Sequence, residues 1–219
     1  MNKFALIVAG GSGQRMNSEI PKQFIPIAGL PILMHTIQKF YNFDHSISIL
    51  LVLPKSQFLY WDELCELYRF KIKIKLVEGG ITRFQSVKKG LNAIDSDGIV
   101  AIHDGVRPFV TNEIIKNNFY EAQKNGAALT VVDLKDSIRN EQKALNRNDY
   151  KLVQTPQTFN ISEIKNAYSF PEKELFTDDA SVFESAGGKI YLVNGNYKNI
   201  KITTSEDLLI GESFLKSEN

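Results

Sequence analysis

The 219-residue sequence carries 26 Lys and Arg against 25 Asp and Glu, a net charge of +1, with 43% hydrophobic and 23% charged residues. This composition excludes a disordered, fibrous or membrane-spanning chain, and the balanced charge leaves no global field to draw in nucleic acid, so an anionic ligand has to be held by a local cluster of cations. Folding at this length buries roughly 70% of the unfolded chain's surface, enough for one full core, and sets the expectation of a single domain over residues 1–219.

In chain order, the first expected strand covers residues 4–9, a short apolar run before a Gly-rich turn that fits neither a signal peptide nor a membrane span. Apolar side chains at Leu33, Ile37 and Phe40 then make a helical stripe, and strands are expected at residues 47–53 and 72–77. The single cysteine, Cys65, reads as a packed helical position between them. It cannot form an internal disulfide, zinc is excluded on ligand count, and a reducing, cytoplasmic location fits. Helical spacing returns at 86–94, 112–124 and 205–214, and strands at 99–102, 127–132 and 190–193. The alternation predicts an α/β fold with a mostly parallel, helix-covered sheet. Residues 133–155 break the rhythm, with two β-like pieces flanking a polar, charged segment. With too little apolar content for a core of its own, this stretch reads as a projecting arm that stays mobile or packs on a partner subunit.

The strongest local signal follows the first strand: Gly10-Gly11-Ser12-Gly13-Gln14-Arg15-Met16, then Pro21-Lys22-Gln23-Phe24. Glycines there let backbone N–H groups curl around an anion. The P-loop pattern fails because Gln14-Arg15, not Lys-Ser/Thr, follows Gly13, and the dinucleotide pattern is weak because Met16 falls where its third glycine is needed. What remains is a glycine loop with two cations, Arg15 and Lys22, spaced to converge on a polyphosphate, or a Gly-rich turn with two solvated cations.

This loop resembles the nucleotide signature of the small cytidylyltransferases. Five further segments, residues 79–87, 103–108, 154–159, 177–181 and 199–208, resemble one family in order along the chain, the 2-C-methyl-D-erythritol 4-phosphate cytidylyltransferases. The resemblance implies a Rossmann-like nucleotidyltransferase sandwich that uses CTP and Mg²⁺ and has no nucleic-acid or membrane partner. It implies CTP binding by Ala9, Gly10, Gly11, Gly13, Gly80, Arg83 and Ser86, with Arg15, Lys22 and Lys201 catalytic at the phosphates. It also implies that Asp104, Arg147 and Thr155 bind the sugar-alcohol phosphate, with a direct Asp104–metal bond as an alternative. In the family the arm crosses to a second subunit, so Arg147 would complete the partner's site in a homodimer.

Other readings stand beside these. Ser86 also reads as a helix N-cap, Arg147 as an exposed cation, Lys201 as an edge-strand lysine on a late strand, and Arg107 as a structural tie for the Asp104 loop. His103 is read as structural, because an attacking phosphate monoester with a second pKa near 6 needs no base. Gly105-Val106 and Asn17 depart from the family pattern without removing a functional side chain, Gly105 loosening its loop by up to about one kcal/mol. Ribitol-5-phosphate cytidylyltransferase and a non-catalytic nucleotide-binding module are the alternative functions.

Overall fold

Side chains along β1 (Lys3–Val8) alternate between two cores, Ala5 and Ile7 on one face and Phe4 and Leu6 on the other. β4 (Ser48–Leu53) and β6 (Ile99–Asp104) repeat the alternation, and strands buried on both faces need helices on both faces. The computed structural model describes residues 1–10 and 20–216, and in it α1 (Ile32–Phe43), α2 (Phe58–Leu67) and α4 (Asn112–Asn125) cover the first face. The other face is covered by α3 (Arg83–Asn92), α5 (Ile161–Ala167) and α6 (Asp179–Ser185).

The seven-stranded sheet also holds β5 (Lys75–Glu78), β7 (Ala127–Asp133), β10 (Lys151–Asn160) and β11 (Leu192–Asn194), in the order β11-β7-β10-β6-β1-β4-β5. β10 runs antiparallel to both its neighbours, while the other pairings of this sheet are parallel; β2 (Pro26–Ile27) and β3 (Leu30–Pro31) form a separate antiparallel pair. The chain leaves β1 outward through β4 and β5, then returns across α3 to β6 on the opposite side of β1. The crevice at the C-terminal ends of β1 and β6 is therefore a topological switch point, where open α/β sheets place ligands. α7 (Ser205–Lys216) packs near this end against a small cluster containing Ile27, Phe109 and Ile202.

Several sequence expectations shift. The third strand begins at Lys75 rather than residue 72, although Ile72 and Ile74 still pack on the core. The 190–193 strand moves to Leu192–Asn194, and Lys201 lies on an extended segment outside any strand, anchored where Ile202 N–H donates to Val106 O. The two β-like pieces of the arm are the end of β7 and the start of β10, paired Asp133 with Lys151 and Val131 with Val153. Their ladder shifts register between Val153 and Gln157, around Pro156, which has no N–H to donate. The buried half of β10, Gln154 to Phe159, is a central strand that the polar composition of Gln154, Thr155, Gln157 and Thr158 disguises. Between the pieces, β8 (Ile138–Arg139) and β9 (Ala144–Leu145) form a separate two-stranded ribbon of mostly exposed residues.

Gly98 joins three elements: Ile99 N–H donates to Asn2 O, and Gly98 O accepts from Ile161 N–H. Its φ is +155°, and a Cβ there would lie 2.3 Å from the Asn2 carbonyl oxygen. Gly98→Ala is expected to destabilise the fold by about 1–3 kcal/mol. The urea midpoint reads this directly, and a wild-type midpoint would show that the strand start adjusts freely.

Candidate active site

The Pro21-Lys22-Gln23-Phe24 segment folds back as a short 3₁₀ turn because its last two side chains are buried. Phe24 packs edge-on against Tyr60 at 5.2 Å and near Trp61, while Gln23 Nε2 donates to Ala9 O at 2.9 Å and to Gln57 Oε1 at 2.7 Å. That anchorage leaves Lys22 lining a cleft of about 400 Å³, together with Gly10, Gly80, Arg83, Ser86, Asp104 and Lys201. Ala9 stands behind this wall, its N–H on Val52 O. Gly11, Gly13 and Arg15 lie outside the described residues.

Thr82, not Ser86, is the N-cap of α3, accepting from Gln85 N–H at 3.1 Å. Ser86 lies one turn further in, where its hydroxyl accepts from Gly80 N–H at 3.0 Å and donates to Thr82 O at 2.9 Å. The hydroxyl thereby shapes the Gly80 backbone at the cleft wall. Arg83 opens the helix, and its fork is held by Asp179.

Asp104 ends β6 at the switch point and is buried. Lys201 Nζ lies 3.0 Å from Oδ2, Arg107 Nε 3.3 Å from Oδ2, and Arg83 Nε 3.9 Å from Oδ1. Burial alone would raise this carboxyl, but Lys201, Arg83 and Arg107 together hold it well below the usual carboxylate range. Arg107 also donates to Asn199 O at 2.8 Å, which ties the Asp104 loop to the segment bearing Lys201. A carboxylate already ringed by three cations does not suit a resident divalent metal, and among the described residues no three His, Cys, Asp or Glu side chains cluster to hold one. The expected direct Asp104–metal bond therefore has no support in the donor set.

His103, fully buried, lies under this site. Its Nε2 meets Arg107 O at 3.1 Å, so that nitrogen carries the proton and Nδ1 accepts from the Thr155 hydroxyl at 3.0 Å. Thr155 Oγ1 in turn accepts from Asp104 N–H at 3.1 Å. The Thr155 hydroxyl, expected to bind a phosphate, thus donates its hydrogen bond to the imidazole here and joins β10 to β6. It still lines a second cavity of about 270 Å³, which shares Arg83, Asp104 and Lys201 with the first. Gly105, expected to loosen this loop, instead allows a close approach, since a Cβ there would lie 2.8 Å from the Ala9 Cβ.

Arg147 is not brought to either cavity of its own chain. It is exposed on a 3₁₀ turn of the arm and donates to Lys135 O. Four supporting residues, Gln157, Tyr168, Asp179 and Asn199, carried no role in the sequence reading. Gln157, Asp179 and Asn199 lie within the segments 154–159, 177–181 and 199–208 that carry the family resemblance, and that is the signal available for them; Tyr168 lies outside those segments.

Burial lowers the His103 pKa from 6.5 to about 4. The unfolded chain therefore takes up a proton that the folded chain refuses, and stability falls as pH drops between these values, by roughly 3 kcal/mol in all. His35, lowered in the same direction by burial, adds to the slope. Urea midpoints from pH 7 to 4.5 should fall in the wild type and flatten in His103→Gln; equal slopes would remove His103 as the cause.

The sequence matches the family described as 2-C-methyl-D-erythritol 4-phosphate cytidylyltransferase over residues 4–217. The protein of that name from Phocaeicola vulgatus is 50% identical over 216 residues, 97% of this chain and 99% of its own. The one from Bacillus licheniformis is 39% identical over 225 residues, covering 100% of this chain and 97% of its own. In three dimensions the fold is similar to the crystal structure of 4-diphosphocytidyl-2C-methyl-D-erythritol synthase from Anaerococcus prevotii, with a TM-score of 0.83 at 31% identity over 98% of this chain and 96% of that one. The crystal structure of 2-C-methyl-D-erythritol 4-phosphate cytidylyltransferase from Thermus thermophilus gives a TM-score of 0.81 at 27% identity, covering 99% of this chain and all of that one. With a match running almost end to end and a cation-lined cleft at the switch point of the same fold, the chain belongs to the 2-C-methyl-D-erythritol 4-phosphate cytidylyltransferase family.

Proposed function

We propose that this chain transfers CMP from CTP to 2-C-methyl-D-erythritol 4-phosphate, giving 4-diphosphocytidyl-2-C-methyl-D-erythritol and pyrophosphate. The observation that carries this reading is one cleft at the C-terminal ends of β1 and β6 that gathers Lys22, Lys201, Gly80 and Ser86, and shares Asp104 with a second cavity. The first cavity takes the nucleotide, with the Gly80 backbone and Ser86 at the base and Gly10, Gly11 and Gly13 around the phosphates. The second takes the polyol phosphate, whose hydroxyls suit the Asp104 carboxylate.

An oxygen of the acceptor's phosphate attacks the α-phosphorus in line, a new P–O bond forms, and the bond to the β-phosphate oxygen breaks to release pyrophosphate. The acceptor is mostly a dianion at neutral pH, so no base is required, and His103 is not needed as one. Lys22 and Lys201, with Arg15, stabilise the charge that develops on the α-phosphate oxygens. The divalent ion enters as part of the Mg–CTP substrate, where phosphate oxygens and water supply most of its ligands. We place the reaction in the cytoplasm, consistent with a lone cysteine and with the absence, among the described residues, of any helix long and apolar enough to cross a membrane.

We further read the chain as one domain whose arm packs on a second copy. Tyr150, Leu152 and Val153 are exposed apolar side chains at the arm's root, and Arg147, remote from its own cavities, would bind the acceptor phosphate of the other protomer.

Pyrophosphate release from CTP and Mg²⁺ tests the activity: release with 2-C-methyl-D-erythritol 4-phosphate and none with D-ribitol 5-phosphate is expected, and the reverse pattern overturns the acceptor. Lys22→Ala should lower kcat by about 10²–10³-fold with the fold intact, and near-normal turnover would remove its role. Mixing Lys22→Ala with Arg147→Ala protein should recover about a quarter of wild-type activity, because half of the dimers are mixed and each holds one intact site. Mixed dimers without recovery would show that each site belongs to a single chain.

A further inference from the structure

Arg83 opens α3 and Asp179 opens α6, 96 positions apart in sequence, yet they form a two-point ion pair. Nη1 donates to Oδ1 at 2.8 Å and Nη2 to Oδ2 at 2.6 Å. Asp179 is fully buried, and the Tyr168 hydroxyl donates to its Oδ1 at 2.6 Å, so three donors converge on one carboxylate. Tyr168 is itself buried and stacked on Phe84 at 4.7 Å. A bidentate guanidinium–carboxylate pair fixes orientation as well as distance, because both groups are planar forks.

Both ends of this pair are tied down. The Asp178–Ser181 capping box closes the start of α6, and Gln157 of β10 clamps it by donating to Asp178 Oδ2 at 3.0 Å and accepting from Ala180 N–H at 2.8 Å. Thr82 caps α3 at the other end. Arg83 spans the gap between the two helix starts and lines both cavities, and its Nε stands 3.9 Å from Asp104 Oδ1. Asp179 therefore keeps a half-buried guanidinium from closing fully on Asp104, whose Oδ2 stays with Lys201 and Arg107. Without that counter-charge, the closest remaining carboxylate for Arg83 is Asp104.

We propose that Arg83 is a positioning residue, oriented by Asp179 and Tyr168, which sets the placement of Asp104 between Lys201 and the acceptor. The inference rests on the activity proposed above and adds a specific cause for how the acceptor cavity keeps its shape. Arg83, expected from the sequence to contact CTP, acts on the reaction through Asp104 instead.

The test compares wild type, Asp179→Asn, Asp179→Glu and Tyr168→Phe by steady-state kinetics, varying CTP and 2-C-methyl-D-erythritol 4-phosphate separately. Asp179→Asn should raise the KM for the polyol phosphate about tenfold or more while the KM for CTP stays within about threefold, since a freed guanidinium redirects Asp104 but leaves the Thr82 cap and Ser86 in place. Asp179→Glu keeps the charge and should restore most of the loss. Tyr168→Phe keeps the ring stacked on Phe84 and should raise the same KM about threefold, which decides the matter should Asp179→Asn fail to fold. A merely structural role would lower thermal stability and the active fraction, leaving both KM values unchanged; that result overturns the inference. Wild-type protein that turns over while the variants keep both KM values overturns the inference alone. Wild-type protein that releases no pyrophosphate overturns the activity and, with it, the role given to Arg83.

Discussion

A carboxylate at the end of a central strand, buried beside the switch point of the sheet, has to be matched by cations or lose its charge. Asp104 is matched by three: Arg83 from the start of α3, Arg107 from its own loop, and Lys201 from the segment leading to α7. Withdrawing an ion from water costs several kcal/mol, so each partner left unmatched would be strongly unfavourable. Compensating Asp104 draws these distant parts of the chain to one point. The same arrangement leaves Lys22 and Lys201 in a cleft where a triphosphate meets positive charge, and a cleft of this kind is what phosphoryl chemistry requires.

Beneath the ion cluster runs a neutral network. His103 Nδ1 accepts a hydrogen bond from the Thr155 hydroxyl, Thr155 Oγ1 accepts one from Asp104 N–H, and His103 Nε2 donates to the Arg107 carbonyl. Each buried polar atom in this chain of bonds has a partner, so the imidazole has a fixed tautomer and no need of charge. Phe40 of α1 packs edge-on to the ring at 5.0 Å, joining the network to the first core. Asn199 extends it by donating to Thr155 O at 2.9 Å and Gln154 Oε1 at 3.2 Å, which fixes the approach of the Lys201 segment. Neutral hydrogen bonds thus brace the site from below, while the charged groups Arg83, Asp104, Arg107 and Lys201 face the second cavity.

Much of this was legible before any coordinates. The apolar runs along β1, β4, β6 and β7 mark strands buried on both faces, because β-branched and apolar residues without polar interruption have nowhere else to go. The stripes at Leu33, Ile37 and Phe40 and along α4 read as helices for the same reason. β10 is harder to read, since Gln154, Thr155 and Gln157 are polar residues on a central strand, made tolerable by partners contributed from β6, the start of α6 and the segment before Lys201, while the Thr158 hydroxyl lies buried without a hydrogen-bond partner. The late strand assigned around Lys201 failed because an extended backbone can be held by a few loop contacts, such as Ile202 to Val106, without a ladder.

Residue identity alone determined which side chains could act: glycines for a close backbone approach, Lys22 and Lys201 for phosphate charge, and Asp104 at the end of an apolar run. These follow from local chemistry, as hydrophobic periodicity and glycine content are written along the chain itself. Tertiary structure decided how those groups are used. It hydrogen-bonded Thr155 to His103 between β10 and β6, gave the Arg83 fork to Asp179, ringed Asp104 with cations, and left Arg147 outside the cavities of its own chain. The pairings behind these outcomes reach across the chain, 51 positions from Asp104 to Thr155, 52 from His103 to Thr155 and 96 from Arg83 to Asp179, spans over which pairing is set by sheet order and helix packing rather than by neighbouring residues.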